Sequence, residues 1–303
     1  MPELLNRRRL LRGAIPGAAM LSGASTGLLG AAPVQRQQGT RIRIGLNSYS
    51  FNAPLRAGEL SLMDLADFCA VHRLDCLDAT GYYFPGYPAV PPDSFLAELK
   101  RRAFVNGVTI NGTGVRSDFA QSDAALRAAD LQLVKNWIVV AEKLGASVIR
   151  VFSGSRVPEG YSFSQTLEWM APLLRECAQA GKEHGVMIGL QNHNDFLKTA
   201  EETIRVVEAV DSEWLGVILD VGSLRMADPY GEIEKLLPYA ISWQLKETVW
   251  IGGKEVPTDL RKLRAIIEKG GYRGFVPIET LGQGDPRVKV AKFAKEVHAV
   301  FGT

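Results

Sequence analysis

Short apolar runs and segments of helical periodicity alternate eight times along the chain. Successive runs begin 26 to 40 residues apart, which is room for one strand, one helix and two loops. Repeats of this kind form parallel sheets covered by helices, so eight of them predict an α/β fold of the (β/α)8 TIM barrel type in a single domain. The runs begin near Arg41, Cys76, Val108, Ser147, Met187, Leu215, Ile241 and Gly274.

The competing architecture is a doubly wound open sheet, which usually carries a glycine-rich phosphate loop. The sequence has no Gly-x-Gly-x-x-Gly run after the first strand and no Gly-x-x-x-x-Gly-Lys run. Gly145, Gly185 and Gly271 stand between a helical segment and the next strand, which is typical of helix C-caps. The sequence therefore favours a (β/α)8 barrel domain over residues 41–303, after a short linker at 33–40.

The first 32 residues have the composition of an export signal. The run NRRRLL at Asn6–Leu11 resembles a twin-arginine motif, and the uncharged stretch that follows is rich in Ala, Gly and Leu. That stretch is too rich in glycine for a membrane-spanning helix. Residues 1–32 are thus expected to direct export to the periplasm of a prokaryotic cell, with no stable membrane insertion after signal removal.

Charge and cysteine content exclude two other classes of protein. Residues 1–32 hold four Arg and one Glu, so the remainder has 31 basic and 32 acidic residues, and no nucleic-acid partner is expected. Cys69, Cys76 and Cys177 are too few and too scattered for a disulfide framework or a zinc ribbon, and Cys69 and Cys177 fit core positions.

Polar side chains close the last four apolar runs. Because the carboxyl ends of barrel strands meet at one rim, these groups are expected to converge there. Carboxylate and amide oxygens suit a hard cation, so the pattern favours a divalent metal such as Mn²⁺ or Mg²⁺. The residues are Gln191, His193 and Asp195 on one face of the fifth strand, Asp220 on the sixth, Gln244 and Lys246 on the seventh, and Glu279 on the eighth.

The runs IGLQNHNDF, VILDVGSLR, WQLKE and VPIET resemble the xylose-isomerase-like barrels, the sugar (phosphate) isomerases and epimerases. The resemblance implies one divalent metal held at Gln191, Asp220, Gln244 and Glu279. Gln191 stands where that family has a Glu that binds metal and acts as an acid or base, and Gln244 stands where it has a His. Only Asp220 and Glu279 match, so the resemblance implies a weakened metal site.

The resemblance also implies proton transfer next to the carbonyl of a small sugar or keto-sugar. With Gln191 in place of a carboxylate, Glu279 remains as the base, and His193 is the best substitute for the second one. Lys246 is expected to hold a substrate hydroxyl or to stabilise an enolate, and an ion pair with Asp220 or Glu279 is the alternative.

Substrate contacts are expected from Arg150, Asn192, Tyr49 and Tyr82, where Phe51, Tyr83 and Phe84 extend an aromatic wall. The expected partner is a small carbohydrate. Two other functions stay open at this point. A single base with a cation would serve a lyase acting on keto-glycosides, and a barrel without catalysis would serve as a sugar-binding protein. The sequence does not specify an oligomeric state.

Overall fold

A computed structural model of the chain describes residues 32–302. Eight parallel strands close into a barrel, and a two-stranded hairpin lies beside it. This confirms the (β/α)8 barrel. The strands are β1 (Arg41–Asn47), β2 (Cys76–Thr80), β3 (Thr109–Gly114), β4 (Val148–Val151), β5 (Met187–Gln191), β6 (Leu215–Asp220), β7 (Ala240–Lys246), β8 (Thr248–Ile251), β9 (Lys254–Pro257) and β10 (Arg273–Glu279).

A helix follows each barrel strand, and the first connection contains a second, short helix. Most of the helices begin where a Ser, Thr or Asp side chain accepts a hydrogen bond from the first turn, which satisfies backbone donors that have no partner inside the helix. The helices are α1 (Asn52–Arg56), α2 (Leu62–Val71), α3 (Asp93–Val105), α4 (Ala124–Leu144), α5 (Phe163–His184), α6 (Ala200–Val210), α7 (Pro229–Leu236), α8 (Leu260–Lys269) and α9 (Pro286–Phe301).

Glycine serves two purposes in the fold. Gly145 and Gly185 end α4 and α5 with φ of +74° and +67°, as the sequence predicted for helix C-caps. Inside the barrel, a Cβ on Gly45 would lie 2.0 Å from the sulfur of Cys76 on the neighbouring strand. The barrel interior is filled by side chains, so large groups on one strand require small ones on the next.

Strand register brings the polar strand ends to a common level. In the parallel pairing, Asp220 of β6 lies beside Gln244 of β7, and Lys246 of β7 lies beside Glu279 of β10. The strand segments that lead to these residues are apolar and buried. Core packing thereby fixes the height and direction of each rim side chain.

The hairpin of β8 and β9 is an addition that the sequence analysis did not predict. It follows β7 directly, pairs antiparallel, and turns at Gly252 and Gly253, whose φ values are +58° and +77°. Two positive φ angles fit the tight turn that matches the twist of paired strands. The four-residue strands alternate too weakly in hydropathy to be distinguished from a loop by sequence.

The three cysteines are free and buried, as expected of core residues. Burial raises the pKa of Cys177 to about 12, which keeps the thiol protonated and unreactive. Across residues 32–302, no helix has the length and hydropathy needed to cross a bilayer. The predicted export signal, residues 1–32, lies outside the described part of the chain apart from its last residue.

Candidate active site

A cavity of about 520 Å³ opens at the carboxyl ends of the barrel strands. We call it the central cavity. Its wall combines aromatic rings with charged and amide side chains contributed by most of the strands, as in binding pockets for small polar molecules. The lining residues are Asn47, Tyr49, Thr80, Tyr82, Arg116, Ser117, Asp118, Arg150, Phe152, Gly154, Ser155, Gln191, His193, Asp195, Gln244, Lys246, Glu279 and Leu281.

Three charged side chains form an ion cluster at the base of the cavity. The Lys246 ammonium lies 2.9 Å from Oδ2 of Asp220 and 3.3 Å from Oε2 of Glu279. Both carboxylates are buried. One cation is thus shared by two anions, and both of the ion pairs that the sequence left open for Lys246 are present.

The three groups differ in how tightly each holds its proton. Burial alone would raise the pKa of Asp220, but attraction and a hydrogen bond from Lys246 lower it below its usual value. Burial raises the pKa of Glu279, and Lys246 offsets this only in part. Burial opposes the charge on Lys246, yet the two carboxylates raise its pKa. The ionised forms of Lys246 and Asp220 are therefore favoured, and Glu279 is the carboxyl group of the cluster that binds a proton more readily than usual.

The two glutamines complete the polar base of the cavity. Nε2 of Gln191 donates to Oδ2 of Asp220 and to Oε1 of Gln244, both at 2.8 Å. Nε2 of Gln244 lies 3.5 Å from Oε1 of Gln191 in return. The amides therefore bind each other and Asp220, and Gln191 faces Asp220 with its N–H group.

The four predicted metal positions are adjacent, but their donors do not fit a divalent ion. Asp220 and Glu279 already share the Lys246 ammonium, and Gln191 turns an N–H towards Asp220. A hard cation requires several oxygen lone pairs directed at one point. Nowhere in residues 32–302 do three or more His, Cys, Asp or Glu side chains gather in a way that could hold a metal.

Asn192 holds Asp220 in place and lies outside the cavity lining. Its Nδ2 donates to the carbonyl of Asp220 at 3.0 Å, and its Oδ1 accepts the amide N–H of Asp220 at 2.8 Å. The hydroxyl of Ser223 donates to Oδ2 of Asp220 at 2.7 Å. The predicted substrate contact by Asn192 finds no support in this arrangement, because the side chain is fully buried and engaged with backbone.

His193 is another residue of the cavity wall. Its Nδ1 is 2.6 Å from Oδ2 of Asp195, and its ring packs edge-on against Phe152 with centroids 5.2 Å apart. The imidazole is 39% exposed. An aspartate on one ring nitrogen fixes the tautomer and leaves the other nitrogen for proton transfer.

Arg150 crosses the cavity wall opposite the ion cluster as a buried cation. Its Nη2 donates to the hydroxyl of Tyr82 at 2.9 Å, and its guanidinium carbon lies 4.3 Å from the centre of the Phe152 ring. Burial disfavours this charge, but Tyr82, Asp78 and Glu279 outweigh it and raise the pKa of Arg150. Two of the predicted substrate contacts, Arg150 and Tyr82, thus act as one unit.

Asn47 and Asp78, which were not predicted from the sequence, lie side by side on β1 and β2. Nδ2 of Asn47 donates to Oδ2 of Asp78 at 3.0 Å, and Asp78 is fully buried. The only signal was an aspartate inside the apolar run CLDAT, where a strand points alternate residues into the barrel. Burial raises the pKa of Asp78 to about 7, although Arg150 counteracts it.

Asp78→Asn is expected to change how stability depends on pH. An unfolded aspartate titrates near pH ~3.9, so between about pH 4 and pH 7 the folded protein holds a proton that the unfolded chain releases. Stability from this group is therefore lost as pH rises through that window, by roughly 4 kcal/mol in total at ~1.36 kcal/mol per unit. The asparagine variant should be more stable than the parent protein at pH 8 and similar at pH 4.

Urea unfolding of both proteins at pH 4, 6 and 8 measures this difference. Asp195→Asn is the matched control, because Asp195 is half-exposed at the cavity mouth. Parallel stability profiles for Asp78→Asn and the parent protein would show that Asp78 titrates as an ordinary surface carboxyl.

Only part of the predicted aromatic wall faces the cavity. Tyr49 and Tyr82 line it, together with Phe152, which the sequence analysis did not select. Phe51 and Phe84 are instead buried in the core, since their strand-end loops fold back against helices. The expected wall is therefore smaller than the sequence indicated.

A closed (β/α)8 barrel with a polar, ligand-sized cavity at its carboxyl rim defines a broad structural class. Within that class, the sequence pattern of the xylose isomerase-like TIM barrel family matches residues 74–297. The chain belongs to that family. An uncharacterized protein of Methanocaldococcus jannaschii is 27% identical over 149 residues, which make up 47% of this chain and 50% of that protein. The chain thus spans half the length of the curated relative it matches.

Solved structures with the same fold cover most of the chain. The IolI protein with a bound zinc atom has a TM-score of 0.70 at 15% identity, covering 86% of this chain and 98% of that one. The 3-keto-D-glucoside 4-epimerase YcjR from E. coli has a TM-score of 0.69 at 12% identity, covering 86% and 100%. A D-psicose 3-epimerase in the presence of D-fructose has a TM-score of 0.69 at 15% identity, also covering 86% and 100%. Identities this low show the fold alone.

Proposed function

We propose that this protein is a sugar isomerase- or epimerase-like enzyme, which moves a proton next to the carbonyl of a small sugar or keto-sugar. The observation that carries the proposal is the environment of Glu279. Its carboxyl group lies on the wall of the central cavity with a raised pKa, and its one polar partner within residues 32–302 is the ammonium of Lys246. A carboxylate with free lone pairs beside a cation is suited to general-base work.

The proposed first step is abstraction of the proton on the carbon next to the carbonyl. Glu279 takes the proton, the electron pair of the broken C–H bond forms a C=C bond, and the carbonyl oxygen becomes an enolate. Lys246 donates a hydrogen bond to that developing negative charge. Return of a proton to the other face of the same carbon restores the carbonyl and gives an epimer. If that carbon bears a hydroxyl, return of the proton to the former carbonyl carbon gives an isomer, because the hydroxyl gives up its own proton to become the new carbonyl and the enolate oxygen gains a proton to become a hydroxyl.

Arg150, Tyr49 and Tyr82 would orient the sugar during this step. Arg150 and Tyr82 are fixed to each other, so they form a rigid surface against which a hydroxyl-rich ring can lie. The structural neighbours named for 3-keto-D-glucoside and D-psicose epimerisation support a small carbohydrate as the substrate class.

A second candidate, a one-base lyase acting on keto-glycosides, is favoured by Gln191. An amide cannot accept the proton that a carboxylate at this position would take, so the base of the cavity offers Glu279 without a matching partner. After the enolate forms, its electron pair can expel a glycosidic oxygen from the next carbon. His193, 2.6 Å from Asp195 at the cavity mouth, would then protonate the departing oxygen.

Proton exchange in D₂O tests both candidates in one experiment. The purified protein is incubated with a panel of ketoses and 3-keto-glucosides, and NMR follows deuterium at the carbon next to the carbonyl as well as the products. Epimers or isomers support the first function, and free aglycone with an unsaturated keto-sugar supports the second. Sugar binding without exchange or turnover would overturn both and leave a carbohydrate-binding barrel.

His193→Asn is expected to separate proton abstraction from the later step. If His193 completes the reaction, product formation should fall by about 10²- to 10⁴-fold, the usual contribution of a general acid or base. Deuterium exchange at the carbon next to the carbonyl should persist, because Glu279 is intact. The measurement compares exchange and product rates in one NMR time course. Equal loss of both rates would assign His193 to substrate binding.

We also propose that the chain is exported by the twin-arginine route, on the basis of Arg7 and Arg8. Replacing both with Lys should retain the protein in the cytoplasm of a bacterial host. Cell fractionation measures this, and unchanged periplasmic recovery would contradict the proposal.

A further inference from the structure

We propose that the Lys246 ammonium is the resident cation of this active site and takes the electrostatic role that a divalent metal would otherwise fill. The catalytic part of this inference rests on the proposed function. The structural part, which is that the site excludes a metal, stands on the geometry of the ion cluster alone.

The position of the ammonium supports this inference. It lies between two buried carboxylates from different strands, 2.9 Å from Asp220 on β6 and 3.3 Å from Glu279 on β10. A cation that bridged these carboxylates would occupy this same space. A divalent ion could enter only by displacing the ammonium, because two cations in contact inside a buried site repel each other strongly.

The fold leaves room for the lysine side chain. A Cβ on Gly222, in the loop after β6, would lie 2.6 Å from Cδ of Lys246. The carbonyl of Lys246 accepts a hydrogen bond from the Thr258 hydroxyl at 2.7 Å, which ties the end of β7 to the loop after the hairpin. The lysine side chain therefore packs against a glycine, its backbone is anchored, and it is only 13% exposed.

The glutamine amides are also oriented to suit an ammonium at Asp220. Gln191 directs both of its N–H groups to acceptors, Asp220 and Gln244, at 2.8 Å each. To bind a metal next to Asp220, Gln191 would have to present its amide oxygen there. In this structure it presents an N–H group, which donates a hydrogen bond to Asp220. The hydrogen bonds of the glutamines thus complement an ammonium-bound Asp220 and oppose a metal-bound one.

Lys246 also has donor capacity to spare. One of the three N–H groups of its ammonium donates to Oδ2 of Asp220 at 2.9 Å, whereas Oε2 of Glu279 lies 3.3 Å away as an ion pair without a hydrogen bond. Because Lys246 lines the central cavity, an N–H of the ammonium is available to a substrate oxygen. A metal polarises a carbonyl as a Lewis acid, and a buried ammonium does so by charge and one hydrogen bond. Lys246 therefore supplies stabilisation of an enolate without a metal.

The decisive experiment measures Mn²⁺ binding by electron paramagnetic resonance, which is independent of turnover. The parent protein, freed of metal with EDTA and dialysed, is titrated with Mn²⁺. We expect no stoichiometric binding up to about millimolar Mn²⁺. The variant Gln191→Glu/Gln244→His/Lys246→Met removes the ammonium and supplies carboxylate and imidazole donors, so it should bind one Mn²⁺ per chain at least tenfold more tightly.

A matched variant, Gln191→Glu/Gln244→His, keeps Lys246 and should bind Mn²⁺ at least tenfold more weakly than the triple variant. If the triple variant does not fold, the parent titration still decides the question. Micromolar, one-to-one Mn²⁺ binding by the parent protein that is lost in Asp220→Asn would overturn the inference. Equal affinity of the double and triple variants would do the same.

Proton exchange in EDTA separates this inference from the proposed function. Exchange that persists in EDTA supports both. Exchange that appears only with added Mn²⁺ overturns the inference and leaves the proposed function standing. Absence of exchange under every condition, with no Mn²⁺ binding, overturns the proposed function and leaves Lys246 as the structural cation of the site.

Discussion

Glu279→Gln should abolish deuterium exchange at the carbon next to the substrate carbonyl. The amide has nearly the same shape as the carboxyl group but cannot accept a proton, so the base is lost while the cavity is kept. Loss of a general base costs about 10²- to 10⁴-fold in rate. NMR of a responsive keto-sugar in D₂O measures the exchange, and sugar affinity should change far less than the rate.

A loss of exchange in Glu279→Gln could also come from misfolding, and two features of the structure allow this to be checked. Lys246 keeps its ion pair with Asp220 at 2.9 Å in this variant, so the fold is expected to be retained and thermal unfolding should confirm it. Glu176→Gln is the control, because Glu176 lies on the outer helix α5 in an exposed pair with Lys135. Unchanged exchange in Glu279→Gln would remove this residue from the chemistry and transfer the role of base to another cavity residue.

Lys246→Met is expected to have the largest effect on stability. It leaves the buried carboxylates of Asp220 and Glu279, on either side of β7, without the ammonium that links them. Removing one partner from a buried ion pair costs roughly 3–5 kcal/mol, because an uncompensated buried charge remains. Methionine matches the unbranched lysine chain, so the cost reports lost charge and not a cavity. Urea unfolding of both proteins at pH 7 measures the difference in the free energy of unfolding.

The pH dependence of that difference identifies its cause. In the parent protein Lys246 lowers the pKa of Asp220, so Asp220 contributes stability above its unfolded value, near pH ~3.9, and this is lost as pH falls. Without the ammonium, both carboxyls bind protons more readily. The deficit of Lys246→Met should therefore be greatest at neutral pH and should shrink towards pH 4.

A double variant supplies the internal control for this prediction. Lys246→Met/Asp220→Asn removes one of the two carboxylates that lost their ammonium partner. It should therefore recover part of the free energy of unfolding that Lys246→Met loses at pH 7. Because the residues are in contact, their effects should not add. A pH-independent deficit, equal in the single and double variants, would show that Lys246 stabilises the barrel by packing and not by charge.

The arrangement of the site suggests why the glutamines are compatible with Lys246. The ion cluster contains one ammonium and two carboxylates, so with both carboxylates ionised it carries one net negative charge. A third buried carboxylate at Gln191 would add a charge without a partner, whereas the amide donates to Asp220 at 2.8 Å and stabilises its ionised form. The neutral amides and the charged lysine therefore form one consistent electrostatic unit.

The sequence by itself determined the barrel and which polar residues lie at the carboxyl ends of its strands. Strand and helix periodicities are local properties, and eight of them in alternation leave few ways to bury every apolar face. The two-residue period of strands also placed Gln191, Asp220, Gln244, Lys246 and Glu279 on one rim. Their order along separate strands was enough to bring them together once the barrel closed.

Only the tertiary structure decided what these groups do to one another. Whether Lys246 meets Asp220, Glu279 or water depends on strand register and on the space left by Gly222, and neither can be read from spacing along the chain. Asp78 and Asn192 illustrate the same limit. Asp78 was not predicted from the sequence and is buried with a hydrogen bond from Asn47, and Asn192 was expected to contact substrate but is bound to the backbone of Asp220. Burial and Coulomb interactions depend on those three-dimensional distances, so proton affinities and the choice of cation emerge only with the folded barrel.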